Sequence, residues 1–213
     1  MNIYFRANFA YNISTKVGAK MNKIVNFVDD SGILFTKDVI KAGYSKTQLY
    51  TFIQKYGYEQ VGHGVYASPE CWTDDLFILS TRCPQGVFSH DEALYYYGLV
   101  DREPMQKTIT VYTGYGTGRL VMDGIKVYTV TKELLELGKI VITNSYGHKI
   151  PIYDMERTIC DLIRSRSCFE IQDFQGALKA YVKRKDKDLN RLMAYAQKFR
   201  EYKRIREYME VLL

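Results

Sequence analysis

The sequence predicts an α+β protein in two parts, and three observations carry that prediction. Near the amino terminus, short apolar stripes at helical spacing are followed by a glycine-flanked hairpin. In the middle, segments rich in Val, Ile, Thr and Tyr are separated by Gly, Asp and Asn, which marks strands and turns. Toward the carboxyl end, four apolar stripes at i, i+3 and i+4 follow one another, which marks helices. A length of 213 residues with 46% hydrophobic content is enough for one or two domains with real cores.

The elements follow in order. Residues 1–20 carry Arg6, Lys16 and Lys20 and no acid, and Arg6, Asn8 and Asn12 interrupt any apolar run. They read as a flexible extension rather than a signal peptide, with Met21 a candidate start. Ile24, Phe27 and Val28 predict a first helix, closed by Asp29–Gly32. Ile33–Phe35 reads as extended. Thr36 is the expected N-cap of a second helix reaching Ala42, with Val39 and Ile40 inward. Gly43-Tyr44 makes a turn, and Ser45 with Gln48 forms the S-x-x-Q capping box of a third helix. Tyr44 and Leu49 occupy the positions of a hydrophobic staple.

That third helix carries the functional signal. Leu49, Phe52 and Ile53 form its inward stripe, while Lys46, Thr47, Gln48, Tyr50, Thr51, Gln54 and Lys55 are polar or cationic. Base edges in the major groove offer hydrogen-bond donors and acceptors, so such a mixture suits a recognition helix. Val61 and Val65 then flank Gly62-His63-Gly64, a hairpin with His63 at its tip, placed to touch a phosphate or the minor groove. Three helices and a hairpin in this order predict a winged helix-turn-helix over residues 21–82. The same pattern also serves as a protein-interaction module without DNA, and that alternative stays open on pattern alone.

Residues 83–213 predict a mixed α/β domain with a helical end. Gly98 stops a helix over Asp91–Tyr97. Thr108–Tyr112 reads as a strand with Ile109 and Val111 on one buried face. Leu120–Met122 and Ile125–Tyr128 read as a hairpin across Asp123-Gly124. Lys132–Leu137 reads as a short helix, and Ile140–Thr143 with Lys149–Tyr153 as a second hairpin. Asp154 is the expected cap of a helix over Met155–Arg164, with Met155, Ile159, Leu162 and Ile163 inward. The last stripes are Ile171, Phe174, Leu178; Leu189, Leu192, Met193, Ala196; and Tyr202, Ile205, Met209, Leu212.

Charge is unevenly placed. The net charge is +6, yet residues 179–206 hold eleven Lys or Arg against three acids, while residues 21–70 balance at five of each. Lys179, Lys183, Arg184, Lys185, Lys187 and Arg191 therefore form a candidate patch for phosphates or an acidic partner. Its plain alternative is a solvated helical face.

Chemistry of other kinds finds little support. Cys71, Cys83, Cys160 and Cys168 form no CxxC pair, and His63, His90 and His148 share no metal spacing, so no metal or other cofactor is expected. Scattered thiols fit a reducing cytoplasm. No apolar run reaches the roughly 18 residues of a membrane span. Ser89-His90-Asp91 lacks a nucleophile elbow, Tyr115-Gly116-Thr117-Gly118 lacks a phosphate-loop context, and Glu201-x-Lys203 lacks the acidic strand of a nuclease. No catalytic residue is assigned. Asp154, Glu156, Arg157 and Asp161 read as capping plus an internal Arg–carboxylate pair.

Three stretches, in order and spacing, resemble the AbiEi family of abortive-infection antitoxins. They are the unit ending in Gly62-His63-Gly64-Val65-Tyr66, then Phe88-Ser89-His90-Asp91-Glu92-Ala93-Leu94-Tyr95-Tyr96-Tyr97-Gly98-Leu99, and Tyr153-Asp154-Met155-Glu156-Arg157-Thr158-Ile159-Cys160-Asp161. The resemblance covers about residues 21–213 and leaves residues 1–20 outside. It implies an amino-terminal winged helix that binds inverted repeats in its own promoter, two copies on the double-stranded DNA, and represses the operon. It further implies a carboxyl-terminal domain that counteracts a nucleotidyltransferase-like toxin without a stable complex, in defence against phage. The Ser89-His90 and Glu156-Arg157-Thr158 motifs are expected to be structural.

Overall fold

The structure, a computed structural model, describes residues 21–70 and 74–212. The expectation for residues 1–20 lies outside the described residues, as does Cys71. The chain divides into two compact units at Pro84/Gln85.

The amino-terminal unit opens with a 3₁₀ helix, Met21–Phe27, followed by β1 (Ile33–Phe35), α1 (Thr36–Lys41), α2 (Lys46–Tyr56), β2 (Glu59–Gly62), β3 (Val65–Ala67) and α3 (Asp75–Arg82). The first element is thus a tighter helix than its periodicity predicts. The strands form an antiparallel sheet ordered β1-β3-β2. Ile24, Val28, Leu34, Val39, Leu49, Phe52, Ile53, Tyr58 and Tyr66 make one core cluster, with Tyr44 packed on it as the staple requires. Fully burying an aliphatic or aromatic side chain of this kind is worth about 1.5–3 kcal/mol, so this cluster is what holds the short elements together.

Two expectations here are corrected. Thr36 is the first residue of α1 rather than its cap; the cap position is Phe35, which has no side-chain acceptor to offer. The Thr36 amide instead donates to the Gly64 carbonyl at 2.8 Å, so the hairpin supplies what a capping side chain would have supplied. Ile40, expected inward, is 37% exposed, because six residues of helix leave room for Val39 alone in the core. Helix α3, capped by Asp74 through the Phe77 amide at 3.0 Å, was not predicted.

The carboxyl-terminal unit contains β4 (Val87–Phe88), α4 (Asp91–Tyr96), β5 (Thr108–Tyr112), α5 (Gly118–Met122), β6 (Lys126–Val130), α6 (Lys132–Leu135), β7 (Lys139–Thr143) and β8 (Lys149–Tyr153). Helices α7 (Met155–Arg164), α8 (Ile171–Lys183), α9 (Leu189–Lys198) and α10 (Tyr202–Leu212) follow, with a 3₁₀ turn over Arg166–Cys168. The five-stranded mixed sheet runs β6-β5-β4-β8-β7.

The expected hairpin across Asp123-Gly124 is overturned. Leu120–Met122 lies in α5, and β6 runs parallel to β5 with Thr108 opposite Lys126. Asp123-Gly124 is the exit from a helix: Gly124 has φ 79°, and its amide returns to the Val121 carbonyl at 3.0 Å. The same glycine conformation serves a I′ turn and a helix C-terminus, so the dipeptide alone does not separate them. Strand β5 is also buried on both faces, Thr108 and Thr110 as well as Ile109 and Val111. The second predicted hairpin, β7–β8, forms with Gly147 at φ 86°.

Helix α7 is the centre of this unit. Every residue from Met155 to Ile163 is buried, where its pattern predicts a one-sided stripe. Leu178, Leu192, Ala196, Ile205 and Met209 from the later helices share its core. Ile171 and Tyr202, assigned inward, are 58% and 39% exposed because they stand at the first turns of α8 and α10, beyond the packed interface. Among the described residues no helix is long and apolar enough to cross a membrane.

Candidate nucleic-acid interface

Helix α2 begins where its sequence says. The Ser45 hydroxyl accepts the Gln48 amide at 3.2 Å, and the Gln48 carboxamide oxygen accepts the Ser45 amide at 2.8 Å. At the other end Gly57 takes the left-handed conformation, φ 68°, and the Tyr58 amide closes on the Ile53 carbonyl at 3.0 Å. Eleven residues of helix therefore stand rigidly between two satisfied ends.

Leu49 and Phe52 are completely buried and Ile53 nearly so, which turns the remaining side chains outward. Lys46, Thr47, Gln48, Tyr50, Thr51, Gln54 and Lys55 are all exposed. Neither lysine is held in an ion pair among the described residues, so Lys46 at the first turn and Lys55 at the last are unneutralised. Three members are partly engaged. Gln48 spends its carbonyl oxygen on the cap, leaving only its amide group as a donor, and the Thr51 hydroxyl donates to the Thr47 carbonyl at 2.8 Å. Tyr50 reaches from the helix to the hairpin: burial first, then the Tyr50 hydroxyl, raises the pKa of the Tyr66 phenol above its ordinary value.

His63 is exposed at the hairpin tip. Its two glycines act for different reasons. Gly64 has φ 69°, as a tight turn requires. Gly62 has no such need; a Cβ there would lie 2.9 Å from the Thr81 hydroxyl, so the residue is small to let α3 pack beneath the hairpin. Of the two glycines, Gly64 alone serves a positive φ.

The carboxyl-terminal cations are less available than their number suggests. Arg184 grips Asp186 with two bonds of 2.8 Å, and Lys187 donates to the Arg184 carbonyl at 3.0 Å. Arg191 lies 3.6 Å from Asp188 and 3.9 Å from the buried Glu156. Only Lys179, Lys183 and Lys185 of the six are exposed without such ties. The predicted patch thus splits into a braced half and a free half.

The two sequence motifs of this unit are buried polar centres. Ser89 and His90 are 0% and 2% exposed. The imidazole Nδ1 is 3.0 Å from the Ser89 hydroxyl and Nε2 is 3.2 Å from the Ser165 hydroxyl, while Thr110 donates to Ser89 at 2.8 Å. The ring stacks on Tyr128 with centroids 3.4 Å apart, and burial lowers its pKa to about 4, which keeps it neutral. His90 also has φ 50°, a strained value for a residue with a Cβ. Closed to solvent on both groups, the pair ties β4 to β5 and to the start of α4.

Among the described residues Arg157 is the largest fully buried side chain. Its Nε donates to Asp161 at 2.9 Å and its Nη1 to the Leu134 and Leu137 carbonyls, each at 2.6 Å. Tyr153 and Phe199 sandwich the guanidinium at 4.0 and 4.3 Å. Arg164 shares Asp161 at 2.8 Å, and Asp154 caps α7 while accepting the Tyr195 hydroxyl at 2.8 Å. The expected internal Arg–carboxylate pair is present. Its aromatic and carbonyl partners come from other elements, and no local pattern in the sequence marks them. Gly138 must be glycine beside this group, because a Cβ would come within 2.6 Å of the Arg157 Cβ. Among the described residues, no three His, Cys, Asp or Glu side chains converge as a ligand set.

No protein-family model matches the chain, and no curated protein is significantly similar to it in sequence. Among solved structures, it is similar to the RV2827C protein from Mycobacterium tuberculosis, with a TM-score of 0.57 at 12% identity, over 79% of this chain and 67% of that one. At this identity the likeness is one of fold.

Proposed function

We propose that the protein is an autorepressing antitoxin whose amino-terminal unit is a winged helix-turn-helix that binds inverted repeats in its own promoter. The observation that carries this reading is the outward face of α2. It is capped at both ends, uncovered, unneutralised and lined by hydrogen-bonding groups, and the following hairpin carries His63 exposed at its tip. A helix held this way enters a major groove at no further ordering cost, with Lys46 and Thr47 in the first turn leading. Tyr50, Thr51 and Gln54 follow, Lys55 is placed for a backbone phosphate, and His63 for the adjacent backbone or minor groove. Lys179, Lys183 and Lys185 supply further phosphate contacts, while the braced Arg184, Lys187 and Arg191 serve the fold. The carboxyl-terminal unit counteracts a nucleotidyltransferase-like toxin in the cytoplasm without a stable complex, as the AbiEi resemblance implies.

The test is a mobility-shift titration of the full chain with the DNA upstream of its own gene. Lys46→Ala and Thr47→Ala should each weaken the complex by about 1–3 kcal/mol if they touch base edges. Lys46→Ala should lower the salt slope by about one if it touches a phosphate. Failure of the wild-type protein to shift this DNA at low salt overturns the proposal.

A further inference from the structure

Among the described residues the five-stranded sheet ends at β7, which pairs with β8 on one side only. The phase of that ladder follows from its flanks. The Asp154 amide donates to the Gly138 carbonyl at 2.7 Å, and the Asn144 amide to the His148 carbonyl at 2.9 Å. Bonded and non-bonded pairs alternate along an antiparallel ladder. The register places Val141 opposite Pro151, which has no N–H to give. Both facts make Ile140 with Ile152, and Ile142 with Ile150, the bonded pairs. Lys139, Val141 and Thr143 therefore turn their amides and carbonyls away from β8, toward the open edge.

Proteins usually blunt such an edge with proline, a bulge or a charge held in the way. Strand β7 has no proline and pairs with β8 without a register shift. Lys139 is drawn back onto Glu136, at 3.0 and 3.2 Å. Val141 is 62% exposed and Ile140 38%.

We propose that β7 is a two-fold contact between two copies of this chain, an antiparallel pairing centred on Val141. The segment Lys-Ile-Val-Ile-Thr reads almost alike in both directions about Val141, and this points to a second copy rather than to an unrelated strand. In this register the amide and carbonyl of Val141 meet those of the second copy's Val141. Lys139 meets Thr143, so every backbone group on the edge finds a partner and no two lysines face each other. Ile140 lies opposite the second copy's Ile142, adding apolar contact of the kind that stabilises cross-strand pairs. The sheet then continues through both molecules. This contact lies wholly in the carboxyl-terminal unit and stands independently of the DNA-binding proposal.

Sedimentation of the full chain from low to several hundred micromolar should show a shift from the mass of one chain to that of two. Val141→Lys and Val141→Glu each place like charges directly across the two-fold axis. Each variant alone should dimerise at least about tenfold more weakly, a change of about 1.4 kcal/mol. An equimolar mixture of the two should recover the dimer. Circular dichroism checks that the variants fold. Hydrogen exchange of the wild-type protein provides an arm free of substitution: the 138–144 segment should exchange more slowly at high concentration than at low. A single-chain mass throughout with unchanged exchange overturns the proposal. So does a dimer that Val141→Lys leaves intact, or a mixture that stays monomeric.

Discussion

Truncating Arg157 to alanine should destabilise the carboxyl-terminal unit severely, and the size of the loss follows from what the side chain touches. Removal leaves Asp161, 1% exposed, with its Oδ2 unpaired, and leaves the Leu134 and Leu137 carbonyls without their donor. It also empties the slot between Tyr153 and Phe199. Breaking a buried ion pair by removing one partner costs about 3–5 kcal/mol. Arg164 remains on the other oxygen of Asp161 at 2.8 Å and is 28% exposed at its side chain, so part of the charge stays compensated. An expected loss of about 4 kcal/mol results, a large share of the 5–15 kcal/mol typical of a domain. In urea, with an m-value of about 2 kcal/mol/M, the midpoint should fall by about 2 M. Far- and near-ultraviolet circular dichroism of the full chain reads this, because Tyr153 lies against the altered group. The companion Asp161→Asn should be non-additive with it, since the two substitutions remove the same contact. A loss under about 1 kcal/mol would refute the claim that this guanidinium organises the unit. So would a stably folded Arg157→Ala protein that had lost only its biological activity.

Two further outcomes are expected. Ser45→Ala removes half of the capping box and should cost about 1 kcal/mol of amino-terminal stability, read as a lower unfolding midpoint, with DNA affinity falling alongside if α2 is the reading element. Glu92 is 5% exposed with one carboxylate oxygen unpartnered, and burial raises its pKa to about 7, Lys107 at 3.8 Å opposing the rise. Its folded value lies above its ordinary 4.5, so its contribution to stability is fully present below pH 4.5 and lost as pH rises through about 7. Glu92→Gln should therefore stabilise the protein at pH 8, by an amount on the order of 3 kcal/mol at most, and do little at pH 4. Equal effects at both values would count against a buried, charge-strained carboxylate. His90 pulls the other way, with a folded value near 4 against an ordinary 6.5, and the comparison of variant with wild type cancels it.

Where the sequence succeeded, the deciding physics was local. The box at Ser45 and Gln48, the cap at Asp154 and the hairpin at Gly147 need only residues three or four apart, so their signals survive in any context. The same is true of the outward face of α2, because Leu49, Phe52 and Ile53 decide which way the helix turns. Tertiary contacts decided the rest. Asp123-Gly124 ends a helix rather than a hairpin because β6 finds β5 in parallel, a partnership that no dipeptide encodes. Thr36 needs no cap because the Gly64 carbonyl reaches it from across the unit. In the basic carboxyl-terminal patch, Arg184 and Arg191 are neutralised by acids on neighbouring turns and on α7, and Lys187 is tied to a backbone carbonyl. The burial of Arg157 depends on carbonyls of Leu134 and Leu137 and on the ring of Phe199, far apart in the chain. Short-range hydrogen bonds are written in adjacent residues, whereas desolvation and pairing across elements exist only once the chain has closed on itself.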